Sequence, residues 1–356
     1  MWYKSVVRPL FFRMDPETAH NLTFSVAERM GAFTATRALT RALAGPPDAR
    51  LARTVLGHRF PSPIGTAAGF DKNGRLIRIL PELGFGFMEV GSATALASQG
   101  NARPRMFRLP QDQALINRMG LNNHGAAALA ETLRTSPPSG IPLGINVAKT
   151  HDPKILGDAA LRDYATSVRL LAPYAAYIAL NVSCPNTEEG KTFEEPQALR
   201  DLLDAVRCEV PMLVKFSSDI QERDLIPLLE ICEAHDVAGY IAVNTSTDRS
   251  SLITPAHVLE SIGRGGLSGA PLRSDAQRVL NVIRQNTPAT RTLISVGGIS
   301  TTEDVLTRLE SGADLVQVYT ALVYEGPMLV DRMNRELASW LEREGTTLET
   351  YLRAVR

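Results

Sequence analysis

Residues 177–186 read YIALNVSCPN. Apolar residues run without a polar break into Asn181, and Ser183, Cys184 and Asn186 follow at once. A short apolar run with no alternation fits a strand buried on both faces, as in a parallel sheet. Seven other segments are short and largely apolar: 64–68, 87–91, 143–147, 212–216, 240–244, 293–296 and 315–319. They are rich in Val, Ile and Ala and alternate with helical patterns. Eight such βα units predict an α/β fold, a closed (β/α)8 TIM barrel, and 356 residues suit one barrel with an appendage. An open doubly wound sheet is disfavoured because no G-x-G-x-x-G follows the first strand. One interval breaks the pattern. Residues 106–109 and 115–118 flank Pro110-Gln111-Asp112-Gln113 and predict a hairpin laid over one end of the barrel.

In a barrel of this kind, functional groups gather at the C-terminal ends of the strands. Here those ends carry Ala67-Ala68-Gly69-Phe70-Asp71-Lys72, Asn146, Asn181 to Asn186, Lys215 and Asn244-Thr245-Ser246, and the hairpin ends at Asn117, with Asn122 and Asn123 beyond. One asparagine at a strand end is explained by its tolerance of turns. Several together suit a flat ligand whose rim alternates N–H and C=O groups, because each amide offers both donors and an acceptor. Gly297-Gly298 and Tyr319-Thr320 end the last two strands, where this fold often cradles phosphate, and Gly265-Gly266-Leu267-Ser268-Gly269 lets backbone approach a ligand closely. A flat-ringed, phosphate-bearing cofactor is the economical reading, and FMN fits. Lys215 is then placed to stabilise negative charge on the reduced ring.

The bulk numbers exclude other classes. With 38 basic and 38 acidic residues the net charge is zero, so no nucleic-acid binding is expected. The three cysteines, Cys184, Cys208 and Cys232, are too few and too scattered for a disulfide framework or a zinc site, and no metal is expected. Cys208 and Cys232 fall in helical patterns and read as buried residues. In the tail from Met328 onward, which closes the barrel, Trp340 and Leu341 read as core.

Residues 1–44 predict two helices, 45–54 a linker opened by Gly45-Pro46-Pro47-Asp48, and 55–356 the barrel. The first helix carries Trp2, Tyr3, Val6, Val7, Leu10 and Phe11. Asp15-Pro16-Glu17 starts the second, with Leu22, Val26, Met30 and Phe33 on one side. Residues 1–56 hold eight basic and four acidic residues. Such a pair either lies in a headgroup layer, or packs on its own barrel or a second copy. Aromatic residues set among Lys4, Arg8 and Arg13 favour the membrane. No apolar run is long enough to span a bilayer, and those same cations interrupt any signal-peptide core. A peripheral protein on the cytoplasmic face of a bacterial inner membrane is the expectation.

The segments GTAAGFDKNG, INRMG, GINV, NVSCPN, VNTS, GGLSG, VGGI and VQVYT, in that order between about residues 55 and 327, resemble those of dihydroorotate dehydrogenases. The N-terminal WYKSVVRPLFFRMDPETAH is similar to the membrane-associating segment of the quinone-dependent, class 2 members. The resemblance implies oxidation of (S)-dihydroorotate to orotate in pyrimidine synthesis, with FMN as hydride acceptor and a membrane quinone as final acceptor. It implies that Lys72, Asn117, Arg118, Met119, Gly120, Leu121, Asn181, Asn186, Asn244 and Thr245 hold the substrate. It assigns flavin contacts to Ala68, Gly69, Phe70, Asp71, Lys72, Ser92, Asn146, Asn181, Lys215, Val243, Gly269, Gly298, Tyr319 and Thr320. Cys184 is the implied base that removes the C5 proton while the C6 hydride leaves; a thiol ionises near neutral pH far more readily than a serine. Two positions depart from the class 2 pattern. Cys184 stands where Ser is usual and Leu121 where Phe is usual, and both resemble the soluble class 1 enzymes, as does Thr187-Glu188-Glu189-Gly190-Lys191. Fumarate or NAD as acceptor, or a flavin-binding barrel without catalysis, are the competing readings.

Overall fold

The computed structural model describes residues 3–136, 140–183 and 193–356. Eight parallel strands close a barrel: β1 (Ile64–Asp71), β2 (Phe87–Ala93), β3 (Leu143–Val147), β4 (Tyr177–Asn181), β5 (Met212–Phe216), β6 (Gly239–Ala242), β7 (Thr292–Val296) and β8 (Leu315–Val318). Each pairs with its neighbours in chain order, and β8 closes on β1 through Val316 opposite Ile64. All eight segments read from sequence are strands. They are apolar on both faces because one side meets the helices and the other fills the barrel.

The side-chain period of two sorts the strands. Leu143, Ile145, Ile178, Leu180, Val214 and Tyr240 point outward into the main core with the helices. Phe87, Tyr177, Leu213, Ile241, Ile294 and Leu315 point inward. Gly65 and Gly144 leave room for the large inward rings: a Cβ on Gly65 would lie 2.5 Å from Phe87, and one on Gly144 would lie 2.1 Å from Tyr177. A short antiparallel hairpin, Arg53–Val55 with His58–Phe60, joins this inner cluster through Val55 and Phe60. It plugs the N-terminal end of the barrel and extends into the segment read as linker.

Three features differ from expectation. No regular helix separates β1 from β2. The chain makes only a turn at Pro81–Leu83, and helix Leu329–Arg343 packs there instead. Asn334 fixes that helix, accepting from Ser62 Oγ (2.7 Å) and donating to the Gly84 carbonyl (2.7 Å). The cover over the C-terminal end is a three-stranded sheet, because Gly266–Gly269 pairs with Ala114–Asn117 and this with Met106–Leu109. Cys208 lies just beyond helix Pro196–Ala205, half-buried, while Cys232 is buried within Glu222–Ala234.

At the N-terminus a helical turn, Tyr3–Val7, leads into α1 (Arg8–Phe12), α2 (Pro16–Ala32) and α3 (Thr34–Ala44). Asp15 caps α2 by accepting from the Thr18 N–H (2.8 Å). The second expected helix is broken at Phe33, which is extended. The carbonyls freed by the break are taken by α3 side chains: Arg37 Nη1 donates to Gly31 O (2.7 Å) and Thr36 Oγ1 to Phe33 O (2.9 Å). No helix among the described residues is long and apolar enough to cross a membrane.

Candidate active site

Inside the barrel, above the apolar plug, β2 turns Glu89 inward. The carboxylate is 0% exposed. It accepts from Asn146 Nδ2 (3.0 Å), Tyr177 Oη (2.9 Å) and Gln317 Nε2 (2.8 Å), so three strands meet on one anion. Lys215, inward on β5, is also buried; burial pushes its ammonium down and the charge of Glu89 opposes that. From Glu89 a chain of amides and hydroxyls climbs toward the C-terminal end. Ser92 Oγ donates to Asn146 Oδ1, Asn181 Nδ2 donates to Ser92 Oγ (3.3 Å), and Asn244 Nδ2 donates to Asn181 Oδ1 (3.2 Å). Asn146, Asn181 and Asn244, read separately at three strand ends, are one connected network.

Asn244 opens onto a cavity at the C-terminal mouth. Its walls include Ala68, Lys215, Val243, Thr245, Gly269, Gly298, Gln317, Tyr319 and Thr320. Ser268 accepts from Thr320 Oγ1 (2.9 Å), and Tyr319 Oη donates to the Gly69 carbonyl (3.3 Å). The glycines are required here. Gly269 has φ +109° and a Cβ on it would sit 2.4 Å from the Gln113 carbonyl; one on Gly298 would sit 2.7 Å from the Arg273 backbone. Gln317 tests what the cavity takes. Its amide nitrogen is committed to Glu89, and its Oε1 is buried without a partner among the described residues. An orphan acceptor costs about 1–3 kcal/mol unless a ligand donor meets it. Acceptor and cation at one end, with glycine backbone at the other, fit a flat ring rimmed by N–H and C=O groups and ending in phosphate.

Of the described residues read for substrate, Asn244 and Thr245 line this cavity. Lys72 donates to Asn122 Oδ1 (2.6 Å), and burial, helped by Arg105, pushes its ammonium down to about 8. Thr245 follows Asn244 in the cavity wall, whereas Asn117 Nδ2 reaches only the Gly266 carbonyl (3.5 Å). The Arg118 guanidinium lies over the Phe107 ring and donates to the carbonyls of Ile262 and Arg264, away from the cavity. Met119 and Gly120 form the turn held by Asn101, with Leu121 in the left-handed region at φ 53°. Asp71 does not line the cavity. Its carboxylate accepts from the N–H groups of Arg75 (3.0 Å) and Leu76 (2.7 Å) and shapes the loop after β1. Cys184 and Asn186 lie outside the described residues.

A second, apolar cavity of about 250 Å³ runs between the N-terminal helices and the barrel. Val7, Phe11, Phe24, Leu80 and Pro327 line it, with Tyr3, His20, Thr23, Arg108 and Tyr319 among its polar groups. Burial, with Lys72 nearby, pushes His20 down to about 4, so its ring is neutral at physiological pH. Phe70 belongs to this cavity and meets Tyr319 edge to face at 5.4 Å. Tyr319 lines both cavities. Sequence reasoning missed Glu89, Gln317, His20 and Arg108. The first two sit in mid-strand rather than at strand ends; their signal was a polar residue at inward parity within an apolar run.

The sequence pattern described as dihydroorotate dehydrogenase matches residues 50–341. The dihydroorotate dehydrogenase (quinone) of Clavibacter michiganensis is 46% identical over 343 residues, covering 94% of this chain and 98% of that one. The Mycobacterium tuberculosis protein of the same name is 42% identical over 342 residues, covering 96% and 94%. Among solved structures, a DHODH from Eimeria tenella in complex with ferulenol superposes with a TM-score of 0.81 at 27% identity, with 94% of each chain covered.

Proposed function

The chain belongs to the dihydroorotate dehydrogenase family, and from that premise we propose that it oxidises (S)-dihydroorotate to orotate at a bound FMN and passes the electrons to a membrane quinone. The names of its relatives favour quinone over fumarate or NAD, and an inactive scaffold would have no use for the buried polar network. The observation that carries the reading is that Tyr319 lines both the polar cavity and the apolar one. A ligand in the first is one side chain away from a lipophilic partner in the second.

Bound FMN would supply the two-electron acceptor. The residues that would hold it are Ala68, Gly69, Ser92, Asn146, Asn181, Lys215, Val243, Gly269, Gly298, Tyr319 and Thr320. Lys215 would offset the charge gained on reduction, in a site where water does not screen it. Lys72 would pair with the substrate carboxylate. Asn117, Asn181, Asn186, Asn244 and Thr245 would hold the ring amides, with Gly120 and Leu121 shaping the turn beside them. Cys184, next after Ser183, would take the C5 proton on its sulfur.

The N-terminal helices would dock on a membrane. Val6, Leu10, Leu22, Val26, Met30, Phe33, Leu39 and Leu43 are exposed, Phe33 by 65% and Leu43 by 67%. The stripe read on the second helix, Leu22, Val26, Met30 and Phe33, therefore faces away from the barrel and supports a lipid contact, at the cytoplasmic face where a soluble substrate and a quinone pool meet. The test is anaerobic mixing with (S)-dihydroorotate. Bleaching of the flavin, reversed by a quinone but not by fumarate or NAD, is expected. No bleaching in protein that carries FMN would refute the substrate assignment.

A further inference from the structure

Helix Thr302–Glu310 carries Arg308, which is 1% exposed and the largest of the fully buried side chains. A guanidinium has five N–H donors to satisfy. Nη2 donates to the carbonyls of Arg273 (2.6 Å) and Gly297 (3.1 Å). Nη1 is buried with no partner among the described residues. No carboxylate among the described residues pairs with Arg308. Asp304 is close enough to act on it electrostatically, but its oxygens accept from the N–H groups of Ser300 (2.9 Å) and Thr301 (3.0 Å) and pair with Arg273 Nε (2.9 Å). Burial pushes Arg308 down to about 10, so it remains a cation at neutral pH. A buried cation without its own anion is costly unless something nearby offsets it.

Both carbonyls that Arg308 holds belong to one part of the cavity. Gly298 lines it, and the Arg273 backbone packs 2.7 Å from where a Gly298 Cβ would be. In a trans peptide the C=O and the following N–H point in opposite directions. With the Gly297 carbonyl tied back to Arg308, the Gly298 N–H faces the other way. The cation thus stands behind a peptide dipole whose positive end is turned from it, an arrangement suited to an anion in the cavity.

We propose that Arg308 is the buried counter-cation for the phosphate of the cofactor, acting through the Gly297–Gly298 peptide to favour a phosphorylated flavin over the bare one. It touches neither cofactor nor substrate and is a positioning residue. The proposal rests on the reading that the cavity takes FMN, so flavin extracted from the full-length holoprotein is first identified by chromatography. Binding of FMN and of riboflavin to the full chain is then compared by equilibrium dialysis in Arg308→Met and Arg308→Gln. Two charge-free variants are made so that one folded protein suffices. FMN affinity should fall about ten-fold or more, with riboflavin nearly unchanged, while Arg308→Lys should keep most of the preference. Asp304→Asn, which leaves Arg308 in place and removes an opposing anion, should move the preference the other way. A purely structural clamp would weaken both flavins equally, and that result, or an unchanged ratio, overturns the proposal. Extraction of a flavin other than FMN would instead overturn the FMN reading itself.

Discussion

Replacing Glu89 by Gln tests the centre of the barrel with almost no change of shape. The native carboxylate accepts three hydrogen bonds and donates none. A glutamine offers one oxygen and one NH2. If the oxygen keeps Tyr177 and Gln317, the new NH2 faces the Asn146 NH2. Asn146 cannot simply turn over, because its Oδ1 already accepts from Ser92 and Ser92 from Asn181. At least one buried donor then loses its partner, which costs about 1–3 kcal/mol. At about 2–4 °C per kcal/mol for 150–250 residues, and somewhat less for a longer chain, Tm should fall by about 1–6 °C.

The same change removes the negative charge that opposes the lowering of Lys215. Below its ordinary value of 10.5 but above its lowered value in the fold, Lys215 is protonated when unfolded and neutral when folded. The unfolded chain binds more protons in that window, so stability rises with pH there. Glu89→Gln should widen the window downward. It should also move the alkaline limb of flavin reduction to lower pH, since fewer molecules keep the Lys215 cation. Calorimetry and anaerobic stopped-flow absorbance across pH read the two effects. An unchanged Tm together with an unmoved alkaline limb would refute the assignment of Glu89 as hub and charge partner.

Three other outcomes are expected. Lys72 has its ammonium pushed down to about 8, so the KM for dihydroorotate should rise as pH climbs past that value, and Lys72→Met should abolish this dependence. Cys184→Ala should slow flavin reduction at least about 100-fold, and orotate should protect the native protein from alkylation; reduction at the native rate would remove Cys184 from the mechanism. Leu39→Glu with Leu43→Glu places charge on two exposed apolar positions, each worth about 1.5–3 kcal/mol if buried in lipid. Partition to anionic vesicles should drop by ten-fold or more while anaerobic flavin reduction persists, and undiminished partition would return α3 to a soluble role.

The barrel was legible because a closed parallel sheet leaves a signature that few folds share: eight short, largely apolar runs without alternation. Asn146, Asn181 and Asn244 were legible because an amide at the end of such a run has no packing reason to be there. Glu89 and Gln317 escaped the same reading. A polar residue in mid-run is visible, but its partners lie on other strands and only the closure of the barrel brings them together. The third strand of the cover, Gly266–Gly269, was hidden for another reason. Two of its four residues are glycine, and its pairing is set by Ala114–Asn117, not by side-chain preference. For the N-terminal helices the sequence marked the right apolar stripe but not its direction. Leu22, Val26 and Phe33 could have faced the barrel, whereas α2 buries Glu17, Ala19, Phe24 and Gly31 instead.

That choice of buried face ties the appendage to the chemistry. Glu17, almost fully buried, accepts from Arg105 (2.8 Å to Nη2) and pairs with Arg103 (3.0 Å). Arg105 also donates through Nη1 to the carbonyls of Gln99 (2.8 Å) and Asn101 (2.9 Å). Asn101 in turn donates to the Arg118 carbonyl (2.9 Å) and, by its N–H, to that of Met119 (3.1 Å). Within four residues of Met119 lies Asn122, the acceptor of the Lys72 ammonium. The helix that walls the apolar cavity is thus joined, link by link, to the turn beside Lys72. Removing residues 1–44 would leave Arg105 short of its carboxylate and Glu82 without Arg41, its bidentate partner at 2.6 and 2.7 Å. Glu17 and Arg105 are both nearly buried, and breaking one member of such a pair is far more damaging than losing a surface contact. A truncated chain that loses quinone turnover therefore does not by itself point to a quinone site, because the turn beside Lys72 loses its support with it. The exposed stripe and the buried Glu17 edge of the same helix have to be perturbed separately for the membrane contact and the coupling to be told apart.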